Sequence, residues 1–432
     1  MTRKQKILII GSGGREHAVG WKIAQSPFVD KMYFAPGNAG TSMLGENIDI
    51  KAIDIEALKI FAQENNIDIT LALPDDPLAL GIVNEFEKVG LKIFGPTKES
   101  ARLESSKAFA KNFMQKYNLP TASFQIFEDE KEAKKYLNTH TLPVVVKASG
   151  LALGKGVFIC QTKEEAEKRI DEIMVDKLFG EAGKQIVIEE FLTGPEISIH
   201  LFSDGNNYAI FPPSQDHKRI GEGDTGLNTG GMGTISPLPF VSQDLLKEIE
   251  ESVVKPALLG MQKEGFPFKG ILYPGLILTK NGPKILEFNA RFGDPETQSY
   301  MRLLDSDLLE IVNACIDGNI NNISVNWKKD FACTIVLASS GYPGNYQKGS
   351  IIKGIQEAEK EKDIVVFQAG TKLNNEGDFI TNGGRVLGVS AIGSDLKESL
   401  KKAYNAIENN ISFEGMQYRK DIGFKSLNIK YI

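Results

Sequence analysis

Between Leu286 and Glu296 the chain reads LEFNARFGDPE, which gathers two carboxylates, a carboxamide, a guanidinium and a third acid into one short segment. If KILEFNARF is a strand, a side-chain period of two puts Glu287, Asn289 and Arg291 on one face, with Leu286, Phe288, Ala290 and Phe292 on the other. The apolar set packs and the polar set converges on a pocket. A carboxylate oxygen and a carboxamide oxygen two residues apart are hard ligands of the kind Mg²⁺ prefers where phosphate oxygens and water complete its shell. Arg291, one step further, is able to hold a carboxylate through paired hydrogen bonds. Gly293-Asp294-Pro295-Glu296 then ends the strand in a rigid, acidic turn beside that face.

Other stretches could cooperate with it. KASGLALGKG offers Gly150, Gly154 and Gly156 with Lys147 and Lys155, so backbone N–H groups and cations both approach a polyphosphate, although the spacing is not that of a P-loop. EEFLTGPE, Glu189 to Glu196, could present backbone groups to an adenine edge while Glu196 accepts from ribose hydroxyls. GSGGREH follows an apolar run and opens a helix, where backbone donors favour an anion. A dinucleotide fingerprint needs Gly or Ala at its sixth position and Glu16 stands there, so a single phosphate with Arg15 as an extra donor is expected, not NAD. In QDHKR, His217 has no second histidine at ligand spacing, which argues against zinc; Asp216 and Lys218 suit an amine or a sugar hydroxyl. His140 and His200 are expected to be structural, and no Ser/His/Asp or Cys/His nucleophile arrangement assembles.

The elements needed to position these groups are legible. Residues 6 to about 100 alternate β-type and helical runs, the rhythm of an open parallel sheet with ligands at the strand ends. SSKAFAKNFMQKYNLP predicts an amphipathic helix stopped by Pro120, and from residue 121 the chain turns to shorter strands and helices. The Gly-rich stretch PPSQDHKRIGEGDTGLNTGGMGTISP is too long for an idle connection and should line a site. GLILTKNGPKILEFNARF surrounds Asn281-Gly282, a strong hairpin signal. After Trp327 come three β runs and a helix from about Ser394 to Asn409.

Length allows about two to four domains for 432 residues. The expected division is an amino-terminal sheet domain over 1–101, a central domain over 102–325 with a lid over about 121–193, and a small β-rich domain over 326–432. A formal net charge of −6 gives no broad basic surface, so neither nucleic acid nor membrane is an expected partner. Cys160, Cys315 and Cys333 are widely spaced and read as buried thiols of a reducing compartment. The four-residue apolar run in MTRKQKILIIGSGG is far short of a signal segment, and a cytoplasmic location is expected.

In combination, GSGGREHA, ESSKAFAK with NLPTA, KASGLALGKG, EEFLTGPEIS, QDHKR with NTGGMG, LEFNARFGDPE, ASSGYPG and GGRVLGV resemble the glycinamide ribonucleotide synthetase (phosphoribosylamine-glycine ligase) family of ATP-grasp enzymes, nearly end to end. The resemblance implies a mixed α/β and α+β multidomain fold: an open parallel sheet, an ATP-grasp core and a small carboxy-terminal domain. It implies ligation of glycine to 5-phosphoribosylamine with ATP and Mg²⁺ or Mn²⁺, through glycyl phosphate, in purine synthesis, by a monomer or weak homodimer. Carried over by position, Lys107 and Lys147 meet the ATP phosphates and a loop of Ser149, Gly150, Gly154, Lys155 and Gly156 closes over them. Glu189, Glu190 and Leu192 fall at the adenine hinge, with Glu196 on ribose. Glu287 and Asn289 fall at the metal. Arg291 and Asp294 fall at the catalytic positions, Arg291 on the glycine carboxylate. Gly13, Arg15, Glu16, Asp75, Asp216 and Lys218 join Asp294 on the phosphoribosylamine side.

The chain departs from the family pattern at Leu73 and Asp75 in LPDDPL, at Leu227 before NTGGMG and at Gln368 before AGT. ILYPGLIL carries no carboxylate, so a second tightly held metal ion is not expected. The rival readings are an ATP-grasp ligase for another carboxylate or amine, a nicotinamide-dependent oxidoreductase on the amino-terminal sheet, and a silent nucleotide-binding protein.

Overall fold

The structure, a computed structural model, describes residues 3–152 and 155–428. Its first part is a five-stranded parallel sheet in the order Glu46–Asn47, Val29–Pro36, Gln5–Gly11, Ile69–Ala72, Ile93–Phe94. The central strand carries Ile7 to Ile10, all fully buried, because helices cover both faces of a parallel sheet. The strand order reverses beside Gln5–Gly11, the place where such sheets open a crevice. The turn after Gly11 and the turn before Asp75 both lie at that end.

Two antiparallel units follow. Phe124–Phe127, Ile186–Glu190, Val144–Ala148 and Val157–Cys160 form a four-stranded sheet with its own apolar core, from Phe127 and Val146 to Ile170 and Ile188. The second is built on the long strand Lys269–Thr279, which pairs with Glu196–Ser198, Leu201–Asp204 and the return strand Gly282–Asn289. The expected hairpin is present, with Lys280 and Asn281 at its tip and Gly282 opening the return strand at φ +94°.

The last sheet runs Gln215–Asp216, Gly233–Ser236, Phe331–Ala338, Arg385–Gly393, Ile364–Gln368 and is antiparallel. Its first two strands come from the Gly-rich stretch, which the sequence marked only as a site lining. One apolar cluster runs from Phe113 through Phe288 to Val389 and Ile407, so this sheet and the long hairpin share a core. The helix Leu396–Asn410, capped by the Asp395 side chain, covers it close to the expected bounds. The expected mixed multidomain fold is the one observed. Among the described residues no helix is long and apolar enough to cross a membrane.

Candidate functional site

The four sheet units meet around a cleft of about 860 Å³. Glu287 and Asn289 reach it from the end of the strand Gly282–Asn289, and Arg291 from just beyond. Phe288, Ala290 and Phe292 turn into the core as alternation requires. Leu286 does not. A β-bulge opposite Gly275 and Leu276 takes it out of the alternation, and it lines the cleft with Glu287.

The charges in this wall are balanced by contact. Burial would raise the Glu287 carboxyl, but Lys218, Lys107, Lys147 and Arg291 outweigh it and hold the pKa at about 2. Lys218 Nζ stands 3.6 Å from Glu287 Oε1 and 3.8 Å from Glu196 Oε2. Burial works against the Lys218 ammonium, yet these carboxylates and Asp216 keep its pKa above the usual lysine value. Asn289 Nδ2 donates to Tyr273 O at 3.4 Å. Arg291 is fixed by Glu104 Oε1 at 3.1 Å, Phe292 O at 3.2 Å and Asn289 Oδ1 at 3.4 Å. Its Nε–H is buried with no partner among the described residues.

Those donors suit a hard cation. No group of three or more His, Cys, Asp or Glu among the described residues could hold a metal by itself. An ionised carboxylate and one carboxamide oxygen are what Mg²⁺ takes when phosphates and water supply the rest.

On the lid side, Lys147 Nζ donates to Glu189 Oε2 at 2.9 Å and to Leu286 O at 3.2 Å. Lys107 caps the view of the same wall, its Nζ 3.4 Å from Gly150 O, and burial lowers its pKa. Lys155, Gly156, Glu190, Leu192 and Glu196 line the cleft. Lys155 Nζ reaches Pro343 O at 3.4 Å, so the lid loop touches the carboxy-terminal unit. Gly154 lies outside the described residues. Glu190 is tied to Ser123 N at 2.9 Å and to Lys284 at 3.2 Å.

Four expected site residues stand one layer behind the cleft. Ser149 accepts from Ala108 N at 3.0 Å, and its carbonyl accepts from Lys107 N at 2.7 Å. It therefore docks the start of the helix Lys107–Lys116. Gly150 packs so closely on Ala182 that an added Cβ would meet it at 2.6 Å. Gly13 N donates to Glu16 Oε2 at 2.6 Å, and Glu16 also accepts from Arg15 Nε at 2.7 Å. In this structure the Glu16 carboxylate takes the Gly13 amide that the sequence offered to a phosphate. Glu16 also aims Arg15, which does line the cleft and donates to Phe292 O at 3.0 Å.

Asp75, Asp216, Lys218 and Asp294 line the same cleft. Asp75 opens the short helix Asp75–Leu80, while Leu73 is buried in the core, so the LPDDPL departure leaves an acid facing the site. Burial and the nearby Glu296 push the Asp216 carboxyl up. Asp294 is held by Arg385 at 3.2 Å and Gln298 at 2.9 Å; burial would raise its carboxyl, but Arg385 and Arg15 keep it low. His217 is structural: Nδ1 lies 3.1 Å from Gly233 O, Nε2 accepts from Gly423 N at 3.0 Å, and burial lowers the pKa to about 4. His200 is fully buried, stacked on Tyr273 at 3.9 Å. Gln368 N donates to His17 Nδ1 at 2.8 Å, which joins the carboxy-terminal unit to the first helix.

Sequence reasoning missed Glu104, Lys111 and Arg385. Arg385 Nη1 bonds Gly230 O at 2.6 Å and Asp294 O at 2.7 Å, clamping two wall segments. Lys111 had a signal, because it falls four residues after Lys107 on one helix face.

Three family models match successive parts of the chain: phosphoribosylglycinamide synthetase N domain over residues 5–104, ATP-grasp (A) domain over 105–297 and C domain over 332–425. A phosphoribosylamine–glycine ligase of Caldanaerobacter subterraneus subsp. tengcongensis is 49% identical over 417 residues, 96% of this chain and 99% of that protein. The trifunctional purine biosynthetic protein adenosine-3 of Gallus gallus is 49% identical across 98% of this chain, which spans 42% of that longer protein. The crystal structure of phosphoribosylamine–glycine ligase from Thermotoga maritima superimposes with a TM-score of 0.85 at 36% identity, over 96% of this chain and 100% of that one. Biotin carboxylase from Campylobacter jejuni shares the fold alone, with a TM-score of 0.74 at 15% identity, over 98% of this chain and 95% of that one.

Proposed function

As the chain belongs to the phosphoribosylglycinamide synthetase family, we propose that its cleft joins glycine to 5-phosphoribosylamine in two steps, through glycyl phosphate. The chain is an ADP-forming ATP-grasp ligase of the phosphoribosylamine–glycine type, in purine biosynthesis, and uses ATP with a divalent metal. In the first step a glycine carboxylate oxygen attacks the γ-phosphorus, and the bond to ADP breaks. In the second the phosphoribosylamine nitrogen attacks the acyl carbon, the carbon–oxygen bond to phosphate breaks, and the nitrogen loses a proton. Glycinamide ribonucleotide and phosphate result.

Such a transfer needs positioning and charge neutralisation more than a protein nucleophile. Lys107, Lys147 and the Lys155–Gly156 segment receive the phosphates. Glu287 and Asn289 would hold the metal, Mg²⁺ or Mn²⁺, which would supply neutralisation of the phosphate charge. Glu190 and Leu192 frame the adenine and Glu196 meets the ribose. Glu189, expected at that hinge, is a support for Lys147. Arg291 takes the glycine carboxylate. Arg15, Asp75, Asp216, Lys218 and Asp294 face phosphoribosylamine.

The observation that carries this reading is the ionised Glu287 among Lys218, Lys107, Lys147 and Arg291 in one cleft wall. Incubation with ATP, Mg²⁺, glycine and freshly made phosphoribosylamine should release ADP and a product of the mass of glycinamide ribonucleotide. ADP appearing only with a different amino acid or amine would move the chain to another ATP-grasp ligase.

A further inference from the structure

Two buried ammonium groups share one carboxylate oxygen beside the cleft. Lys147 Nζ is 2.9 Å and Lys111 Nζ 3.1 Å from Glu189 Oε2, while Glu189 Oε1 has no partner among the described residues. All three side chains are at most 7% exposed. The two lysines are otherwise tied differently. Lys147 donates directly to Leu286 O, next to Glu287. Lys111 donates to Thr121 Oγ1 at 2.7 Å, and Thr121 in turn donates to Ile285 O at 2.7 Å. That second chain anchors Lys111, through Thr121, to the strand Gly282–Asn289 one residue from the carbonyl that Lys147 uses.

A buried carboxylate stripped of its only cation is costly. Were Lys147 the sole partner of Glu189, polyphosphate would have to pull it off a carboxylate left unpaired. We propose that Lys111 is a positioning residue that keeps Glu189 neutralised, so that Lys147 is free to turn from Glu189 to the phosphates of ATP. This rests on the reading of Lys147 as a phosphate ligand.

The arrangement carries a pH signature. Burial lowers the Lys111 pKa to about 8, with Glu189 pulling it up and Lys147 pushing it down. The groups facing it are Glu189 on Ile186–Glu190, Lys147 on Val144–Ala148, Glu287 on Gly282–Asn289 and the ring of Phe124, 5.7 Å away. Once Lys147 turns to phosphate, its repulsion of Lys111 falls and the Lys111 pKa rises. Nucleotide binding then takes up a proton near pH 8, and affinity falls as pH rises above that.

The test is calorimetric binding of a non-hydrolysable ATP analogue with Mg²⁺ to the full chain, in buffers of different ionisation enthalpy. Wild type should take up a proton near pH 8. Lys111→Arg, always charged, should keep the affinity and lose the proton uptake and the alkaline weakening. Lys111→Met should bind on the order of tenfold more weakly, and adding Glu189→Gln should restore most of that, a coupling expected of groups in contact. Thermal melting of each variant separates these effects from misfolding, with Lys111→Arg as the fold-preserving probe. Wild-type affinity in Lys111→Met, or proton uptake persisting in Lys111→Arg, overturns the proposal. Unchanged binding in Lys147→Met would remove the phosphate reading of Lys147 and this proposal together; weakened binding there beside wild-type binding in Lys111→Met overturns this proposal alone.

Discussion

Glu287→Ala is expected to lower kcat by about 10³-fold or more at saturating Mg²⁺, the scale on which single electrostatic groups act in a site of developing charge. The reason lies in the wall around it. Glu287 is held ionised by Lys218, Lys107, Lys147 and Arg291 and forms with Asn289 the hard oxygen pair of the cleft. Without it Lys218 retains only Glu196 at 3.8 Å, and the proposed metal position loses its carboxylate. Glu287→Gln should fail nearly as badly, because an amide keeps the shape and loses the charge. Both variants should melt close to wild type, since the side chain lies in the cleft and not in the core. Turnover within tenfold of wild type in a folded Glu287→Ala protein would remove this carboxylate from the metal site.

Arg291→Lys should raise the KM for glycine by roughly 10- to 100-fold with a smaller change in kcat. A charge-assisted hydrogen bond contributes about 1.5–3 kcal/mol, and each 1.4 kcal/mol is a factor of ten. In this protein the guanidinium is pinned by Glu104, by the Phe292 carbonyl and by Asn289, with Nε–H unpartnered among the described residues. A lysine ammonium has no fork, so it cannot hold Glu104 and a substrate carboxylate in one fixed plane. Burial raises the Glu104 carboxyl and Arg291 is the main influence opposing this, so Glu104→Gln should weaken glycine binding less than Arg291→Lys. A glycine KM equal to that of wild type in Arg291→Lys would place the carboxylate grip elsewhere.

The polar face of the strand Gly282–Asn289 was legible because alternation is a local property of one chain segment. The bulge that turns Leu286 into the cleft was not, since it arises from pairing with Gly275 and Leu276 on the neighbouring strand. Glu16 shows the same limit. Its residue type and place in GSGGREH were legible, but its capture of the Gly13 amide depends on a side-chain rotamer closing a helix turn. Arg385 is separated from Asp294 by 91 positions and meets it because the helix Glu296–Leu303, which follows Asp294, packs on the strand Arg385–Gly393. The parallel sheet, the hairpin and the last helix were each signalled by their own residues.

In the proposed reaction the glycine carboxylate reacts at phosphorus before the amine reacts at carbon. Glycine carrying ¹⁸O in both carboxylate oxygens, supplied with ATP, Mg²⁺ and phosphoribosylamine, decides it by mass spectrometry of the products. One ¹⁸O should appear in the released phosphate and one in glycinamide ribonucleotide for each turnover. Phosphate free of ¹⁸O, with ADP and product formed, would contradict it.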